Sequence, residues 1–250
     1  MSITTILNCY RRPQNIKEQI EAVKNQTIPS DEIWVWINDH EDNHGYDFKD
    51  VADVEVRSSK NFMFHSRFAL ALLATTNYVA LFDDDTIPGE RWFENCLDTM
   101  KTHPGILGGA GILLRDRVYD IPGYFPMHDR MGWPTQNQEI ERVDLVGHAW
   151  FLKREHLNYL WAEVHPTMEN CEDMQLSFLA QKHGGVQTYC PPHPGSDKSM
   201  WSSLKALELG DDAVASSNAR DSNYAKFTNL RNAYVNYAID AGWQTVRGIK

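Results

Sequence analysis

The chain reads as an α/β protein with a mostly parallel central sheet covered by helices on both faces. Three observations carry this expectation. Short, near-continuous apolar runs recur at residues 3–7, 33–37 and 78–82, and strands that are apolar on both faces belong to parallel sheets buried between helices. Segments with apolar residues at helical spacing stand between these runs, giving a β-α-β order. Two of the runs stop abruptly in polar residues. Ile33-Trp34-Val35-Trp36-Ile37 ends in Asn38-Asp39, and Tyr78-Val79-Ala80-Leu81-Phe82 ends in Asp83-Asp84-Asp85.

The elements follow in chain order. Residues 3–7 make a first strand, followed by the polar loop Asn8-Cys9-Tyr10-Arg11-Arg12-Pro13. Residues 15–25 make a helix, with Ile16, Ile20 and Val23 on one face. Pro29-Ser30 breaks the chain before the strand at 33–37, and 54–56 is a short third strand. A helix over 64–74 turns Phe68, Leu72 and Leu73 to the core, the fourth strand is 78–82, and 91–102 is another helix. A strand at 108–114 opens on small residues. Residues 115–138, rich in Gly, Pro, Asp and aromatics, are expected to be a long loop over the active face, since long irregular loops in compact domains are often functional. A further strand covers 143–152, and a helix over 171–183 is stopped by Gly184-Gly185. The remainder, from 191 to 250, is loop followed by weak helices.

Composition narrows the classes of function. The chain has 250 residues and 42% hydrophobic content, enough for a sizeable core. A formal net charge of −10 argues against a nucleic-acid-binding face, which must be basic. A nucleotide ligand remains compatible, because a bound cation can mediate the contact. The four cysteines, Cys9, Cys96, Cys171 and Cys190, show no CxxC spacing, so no zinc or redox motif is indicated. The N-terminus lacks a basic region followed by an apolar stretch, and no window approaches the roughly 20 apolar residues of a membrane span. The expectation is a cytoplasmic protein without a membrane span.

The Asp83–Asp85 triplet is the strongest chemical signal. Three carboxylates cannot continue a buried strand, because unpaired buried charge is too costly. They belong at the carboxyl edge of the sheet, where open α/β folds bind ligands. Hard oxygen ligands there suit Mg²⁺ or Mn²⁺, a metal that usually shares its shell with substrate phosphates. This points to a metal-dependent enzyme acting on a nucleoside-diphosphate compound. Glu172-Asp173 is the second candidate, the pair of carboxylates that a transfer reaction needs at its acceptor hydroxyl. Asn170 is expected to cap the helix and place Asp173 at its third position. The plain alternative is that acids in a first turn only complement the helix dipole.

Arg11, Arg12 and Arg67 are candidate phosphate or base contacts, and Asn38 could meet a nucleobase edge. Among His148, His165, His183 and His193, the last, in Pro192-His193-Pro194, is the expected additional metal ligand. Trp133, Trp201 and His148 are expected on the acceptor side, and Tyr124 and Phe125 are further aromatics able to stack on sugars. Trp150 is expected in the core. On this pattern all 250 residues form one domain. Residues 1–103 are its nucleotide-binding half, 104–200 its acceptor and catalytic half, and 201–250 a helical tail.

Together these pieces resemble the GT-A glycosyltransferase fold, and more narrowly the exostosin-like α-N-acetylhexosaminyltransferases and similar viral glycosyltransferase domains. The resemblance runs from about Thr4 to Trp201. It rests on Cys9-Tyr10-Arg11-Arg12, Trp36-Ile37-Asn38-Asp39, Arg67, Leu81-Phe82-Asp83-Asp84-Asp85-Thr86, Val143-Asp144-Leu145-Val146-Gly147, Asn170-Cys171-Glu172-Asp173 and Ser199-Met200-Trp201, in that order. It implies that Arg12, Asn38 and Arg67 contact the nucleotide of a donor, a UDP-sugar by the same resemblance. It implies that Asp85 holds the metal, that Asp83 and Asp84 bind ribose or sugar, and that Asp173 sits at the reacting centre. The acceptor is then a glycan or other hydroxyl compound, and transfer retains configuration. One departure stands out: the pattern continues after Met-Trp with His-Arg, where this chain has Ser202-Ser203. Lys198, Lys205 or Arg220 are candidates to replace that charge.

Two rival readings remain at this point. Asp83-x-Asp85 after an apolar strand also matches the nucleophile motif of haloacid-dehalogenase-type phosphatases, with Gly210-Asp211-Asp212 as later acids. That fold opens with its nucleophile strand, however, whereas two strand-helix units come first here. The other rival is an inactive relative that only binds glycan or nucleotide.

Overall fold

The computed structural model describes residues 1–117, 128–210 and 224–250. Tyr124, Phe125, Asp211, Asp212 and Arg220 lie outside them. Nine strands among the described residues form one sheet, in the order β3-β2-β1-β4-β8-β5-β9-β7, with β6 paired to β5. The strands are β1 (Ile3–Cys9), β2 (Glu32–Ile37), β3 (Val54–Arg57), β4 (Tyr78–Phe82), β5 (Gly105–Leu114), β6 (His128–Gly132), β7 (Glu141–Val143), β8 (Leu145–Lys153) and β9 (Gln187–Cys190). The helices are α1 (Ile16–Lys24), α2 (Ser66–Ala71), α3 (Trp92–Thr102), α4 (Glu172–Gly184), α5 (Ala206–Gly210) and α6 (Tyr224–Asp240).

Strands β3, β2, β1 and β4 are mutually parallel, and β8 then enters antiparallel between β4 and β5. Alternation along each parallel strand feeds two cores. Ala80 and Phe82 of β4 pack with Ile16, Ile20 and Val23 of α1 and Phe93, Cys96 and Leu97 of α3. Val79 and Leu81 pack on the other face with Phe68 and Ala71 of α2 and Leu176 and Ala180 of α4. Trp150 joins this second core, as expected. Leu73 does not reach a core and is 70% exposed, because α2 ends at Ala71.

Five points differ from expectation. The stretch 115–138 is not all loop: β6 pairs with the end of β5 from Ala110 to Leu114. The strand expected at 143–152 is two strands, broken at Asp144, whose buried carboxylate accepts from the backbone of Leu114 and Val246. Strand β9 follows the glycine stop directly, pairing parallel with the start of β5. Asn170 is not the cap of α4: that place is taken by Cys171 in a left-handed conformation (φ 71°), and Asp173 is the second helical residue. Helix α6, far longer than a weak helix, packs Tyr234, Val235 and Ala238 against Met174, Phe178 and Leu179 of α4.

Candidate active site

The site grows from the end of β4. Buried backbone groups need partners, and those of the triplet find them in α1 and in the turn before it. Gln19 donates to the carbonyls of Asp83 and Thr86 at 2.6 and 2.8 Å, and Asn15 donates to that of Asp84 at 3.0 Å. Gln19 is a fully buried polar residue on the same helix as the buried Ile16, Ile20 and Val23. A polar residue on an otherwise apolar helical face is the sequence signal for such a brace.

The side chains of the triplet diverge. Asp84 points back into the protein, 2.8 Å from the Arg12 guanidinium, and accepts from the backbone of Tyr10 at 3.2 Å. Burial pushes its carboxyl up to about 7; Arg12 pulls against this, while Asp85 and Asp83 add to it. Arg12 also reaches Asp85 at 3.2 Å and the carbonyl of Gly210 at 3.3 Å. The Asp85 carboxyl is likewise raised by burial, opposed by His148. Asp83 is gripped by Arg67, whose other nitrogen lies 3.5 Å from Glu172. Arg67 is fully buried and stacks on Trp150, with 4.6 Å between guanidinium carbon and ring centre.

His148 completes the cluster. Two residues of β8, His148 and Ala149, oppose the single Gly109 of β5, a β-bulge between the pairs Gly108–Trp150 and Ala110–Gly147. Bulges re-aim side chains next to active sites. Here the bulge holds His148 at φ 65° and sends its carbonyl to the backbone N–H of Asp83 at 2.9 Å. Trp133 backs the imidazole edge-on, with ring centres 4.6 Å apart. Asp83, Asp85 and His148 each offer a ligand atom, all within 4.8 Å of one another. His148 Nδ1 is sealed from solvent and makes no hydrogen bond, although Asp83 Oδ2 is 3.5 Å away. A buried nitrogen without a hydrogen bond beside two carboxylates is a donor set that could hold a divalent cation. Imidazole in the set favours Mn²⁺ over Mg²⁺.

Across Arg67 stands the second acidic pair, at the N-terminus of α4. Glu172 is pushed up to about 8 by burial and by Asp173, with Arg67 and Arg231 opposing. It faces Arg67 and has no clamp of the kind that holds its neighbour. Asp173 is held by Arg231 of α6, with Nη2 to Oδ2 at 2.7 Å and Nη1 to Oδ1 at 3.2 Å. Arg231 has no counterpart among the sequence signals, because its helix showed no clear pattern and the contact spans 58 residues.

Other expected site residues stand elsewhere. His193 is not in the carboxylate cluster. It is wholly buried, with Nδ1 2.8 Å from the carbonyl of Pro191 and Nε2 2.9 Å from Ser202 Oγ, and burial lowers it to about 4. His193→Gln is expected to lower thermal stability, by about 1–3 kcal/mol for a disturbed buried hydrogen bond, yet to leave Mn²⁺-dependent nucleotide binding unchanged in a melting assay. Asn38 turns its amide inward, donating to Asn61 and the carbonyl of Met63 and accepting from the backbone of Phe62. It braces the loop before α2 and offers no amide group to a base. Trp133 and Trp201 are buried with Ala110 and are walls, not exposed stacking platforms. Trp201 gives its indole N–H to Pro194 at 2.8 Å. Lys198 lies over the Trp201 ring, Lys205 pairs with Glu18, and Arg11 with Asp42.

A parallel half-sheet that ends in a carboxylate triplet, continued by a mixed half-sheet with a second acidic pair on the helix α4 packed against it, is the GT-A architecture of glycosyltransferases. The chain belongs to glycosyl transferase family 2, whose model matches residues 4–161. It is 27% identical over 133 residues to the glucosyl-dolichyl phosphate glucuronosyltransferase of Haloferax volcanii, a match covering 50% of this chain and 42% of the relative. Among solved structures it is similar to S. aureus TarS. One TarS 1–349 structure superposes with a TM-score of 0.52 at 14% identity, over 78% of this chain and 61% of that one. Another, in complex with UDP, gives 0.53 at 12% identity, over 78% and 59%. The chain thus spans under half the length of the curated relative and up to about three fifths of these structures. Membership of a glycosyl transferase family sets the phosphatase reading aside. No helix among the described residues is long and apolar enough to cross a membrane.

Proposed function

We propose that the protein transfers a sugar from a UDP-sugar to a hydroxyl acceptor, with Mn²⁺ at Asp83, Asp85 and His148. The observation that carries this reading is the His148 bulge, which brings an unpaired buried imidazole nitrogen to two carboxylates at the mouth of the parallel half-sheet. The UDP complex of TarS supports the choice of base, and residues 1–103 are the half that would bind it. The glucuronosyltransferase relative makes UDP-glucuronate the first donor to try, with UDP-glucose beside it for comparison. When bound, the metal supplies Lewis-acid stabilisation of the leaving diphosphate.

The protein's own groups do the rest. Arg12 and Arg67 hold the triplet in place while the donor arrives. Asp173 takes the proton of the acceptor hydroxyl as its oxygen bonds to the anomeric carbon. The bond from that carbon to the diphosphate breaks, and UDP leaves with the electron pair. The exostosin-like resemblance implied retention, which calls for a different course. Arg231 donates to both oxygens of Asp173 and so weakens the carboxylate as a nucleophile toward carbon, while Oδ2, with this one donor, keeps a lone pair for a proton. A single displacement with inversion is the course this carboxylate suits.

Thermal stabilisation by UDP, GDP, CMP and dTDP, each with and without Mn²⁺, tests the reading. Stabilisation by UDP only with metal is the expected result; no nucleotide response in any condition would sink it. His148→Asn is expected to raise the Mn²⁺ concentration for half-maximal UDP stabilisation by about tenfold or more, the scale that even outer-shell losses reach. The response to Mg²⁺ should change much less. An unaltered Mn²⁺ titration would remove His148 from the shell.

A further inference from the structure

The C-terminal helix is absent from the family match, which ends at residue 161, yet it reaches the reacting centre. Arg231 is buried and presents a two-pronged contact to Asp173, and its Nη1 also lies 3.2 Å from Asn170 Oδ1. Asn170 in turn accepts nothing by chance: its Oδ1 receives the backbone N–H of Cys171 at 2.6 Å, and its Nδ2 donates to the carbonyl of Phe227 on α6 at 3.4 Å. The Phe227 ring lies against the guanidinium, 5.6 Å from its carbon to the ring centre. Helix α6 is fixed to α4 independently of this contact, by Tyr234, Val235 and Ala238 in the core and by the Tyr234 hydroxyl on Gln175. A planar fork meeting a carboxylate edge-on fixes its plane as well as its place. The backbone N–H of Met174 adds a third donor to Oδ1 at 2.8 Å.

We propose that Arg231 is the positioning residue of the transfer step: from α6 it fixes the plane of the Asp173 carboxylate. The proposal rests on the reading of Asp173 as the base. A carboxylate free to rotate about its side-chain bonds would meet the acceptor proton in only a fraction of encounters. Misplacement by about 1 Å can cost on the order of 100-fold in rate. The carboxylates proposed to hold metal and donor, Asp83 and Asp85, follow β4, whereas Arg231 grips Asp173 from α6, so the loss is expected in kcat and not in donor affinity.

The test uses the full chain with Mn²⁺ and follows UDP release from UDP-glucose and UDP-glucuronate, with water as the acceptor. Arg231→Met is expected to lower kcat on the order of 100-fold with donor KM near wild type. Arg231→Lys should recover part of the loss, since the charge stays and the fork does not. Tyr234→Phe, which loosens α6 without touching Asp173, should keep kcat, and that separates positioning from mere support of the helix. In crystals of Arg231→Met, the Asp173 carboxylate should leave its wild-type position while Asp83 and Asp85 stay. Wild-type kcat in Arg231→Met, or an unmoved Asp173 carboxylate, overturns the proposal. If Asp173→Asn is inactive while Arg231→Met is not, only the positioning role fails; if Asp173→Asn is active, the base reading itself has failed.

Discussion

Asp173→Asn should bind UDP and Mn²⁺ as the wild type does and release sugar from the donor about 10²–10⁴ times more slowly, the usual worth of a positioned general base. The substitution keeps size and shape but removes the ability to take a proton. It also turns one side of the clamp into a meeting of donors, because an amide nitrogen cannot accept from the Arg231 fork. The amide would settle with its oxygen toward one guanidinium nitrogen and its NH₂ group away from the other. Since the carboxylate is buried and already paired, part of the effect could be lost folding stability, and a melting curve of the variant measures that part directly. Full activity in this variant would end the assignment of Asp173 as base. The neighbouring Glu172 is a weak substitute: it is buried, burial pushes its carboxyl above the ordinary value, and its Oε2 is sealed from solvent without a hydrogen-bond partner.

Asp85→Ala should abolish metal-dependent UDP stabilisation while leaving the unliganded protein as stable as before, or more so. Burial raises the Asp85 carboxyl above its ordinary value, so its ionised form costs the folded state free energy. Removing it leaves Arg12 with Asp84 and the Gly210 carbonyl as partners. What disappears is the linkage term: a ligand at a hundred times its Kd stabilises by about 2.7 kcal/mol, and a variant without the site gains none of it. Differential scanning fluorimetry with UDP and Mn²⁺ separates the two quantities in one experiment. A UDP shift of wild-type size in Asp85→Ala would show that the nucleotide binds without this carboxylate. The expected outcome is a site residue held against the interest of stability, as functional residues often are.

The first half of the fold was legible because its strands are short, apolar and closed by polar residues, and the triplet announces where β4 ends. Arg12 and Arg67 were legible too, since they stand at the loop and helix that flank that strand end. Their observed partners, Asp84, Asp85, Asp83 and Glu172, are carboxylates and not yet a nucleotide. His148 was assigned to the acceptor side because nothing in Gly147-His148-Ala149 marks a bulge; the extra residue exists only relative to Gly109 on the neighbouring strand. Asn170 looked like a cap because Asn commonly is one, whereas here its side chain serves Cys171 and α6. Arg231 was invisible for a different reason. Its helix lies beyond a stretch without periodicity, and a buried ion pair across 58 residues is a property of tertiary packing.

That separation along the chain also sets an order of assembly during synthesis. Strands β1 to β4, α1 and α2 bring together Arg12, Arg67 and the triplet within the first 85 residues. Arg231 leaves the ribosome 58 residues after Asp173, a delay of roughly 3–12 s at 5–20 residues per second. A nascent chain can therefore gather its nucleotide-facing charges long before its acidic pair is clamped. The charges around the triplet are thus in place while the acidic pair still lacks its clamp.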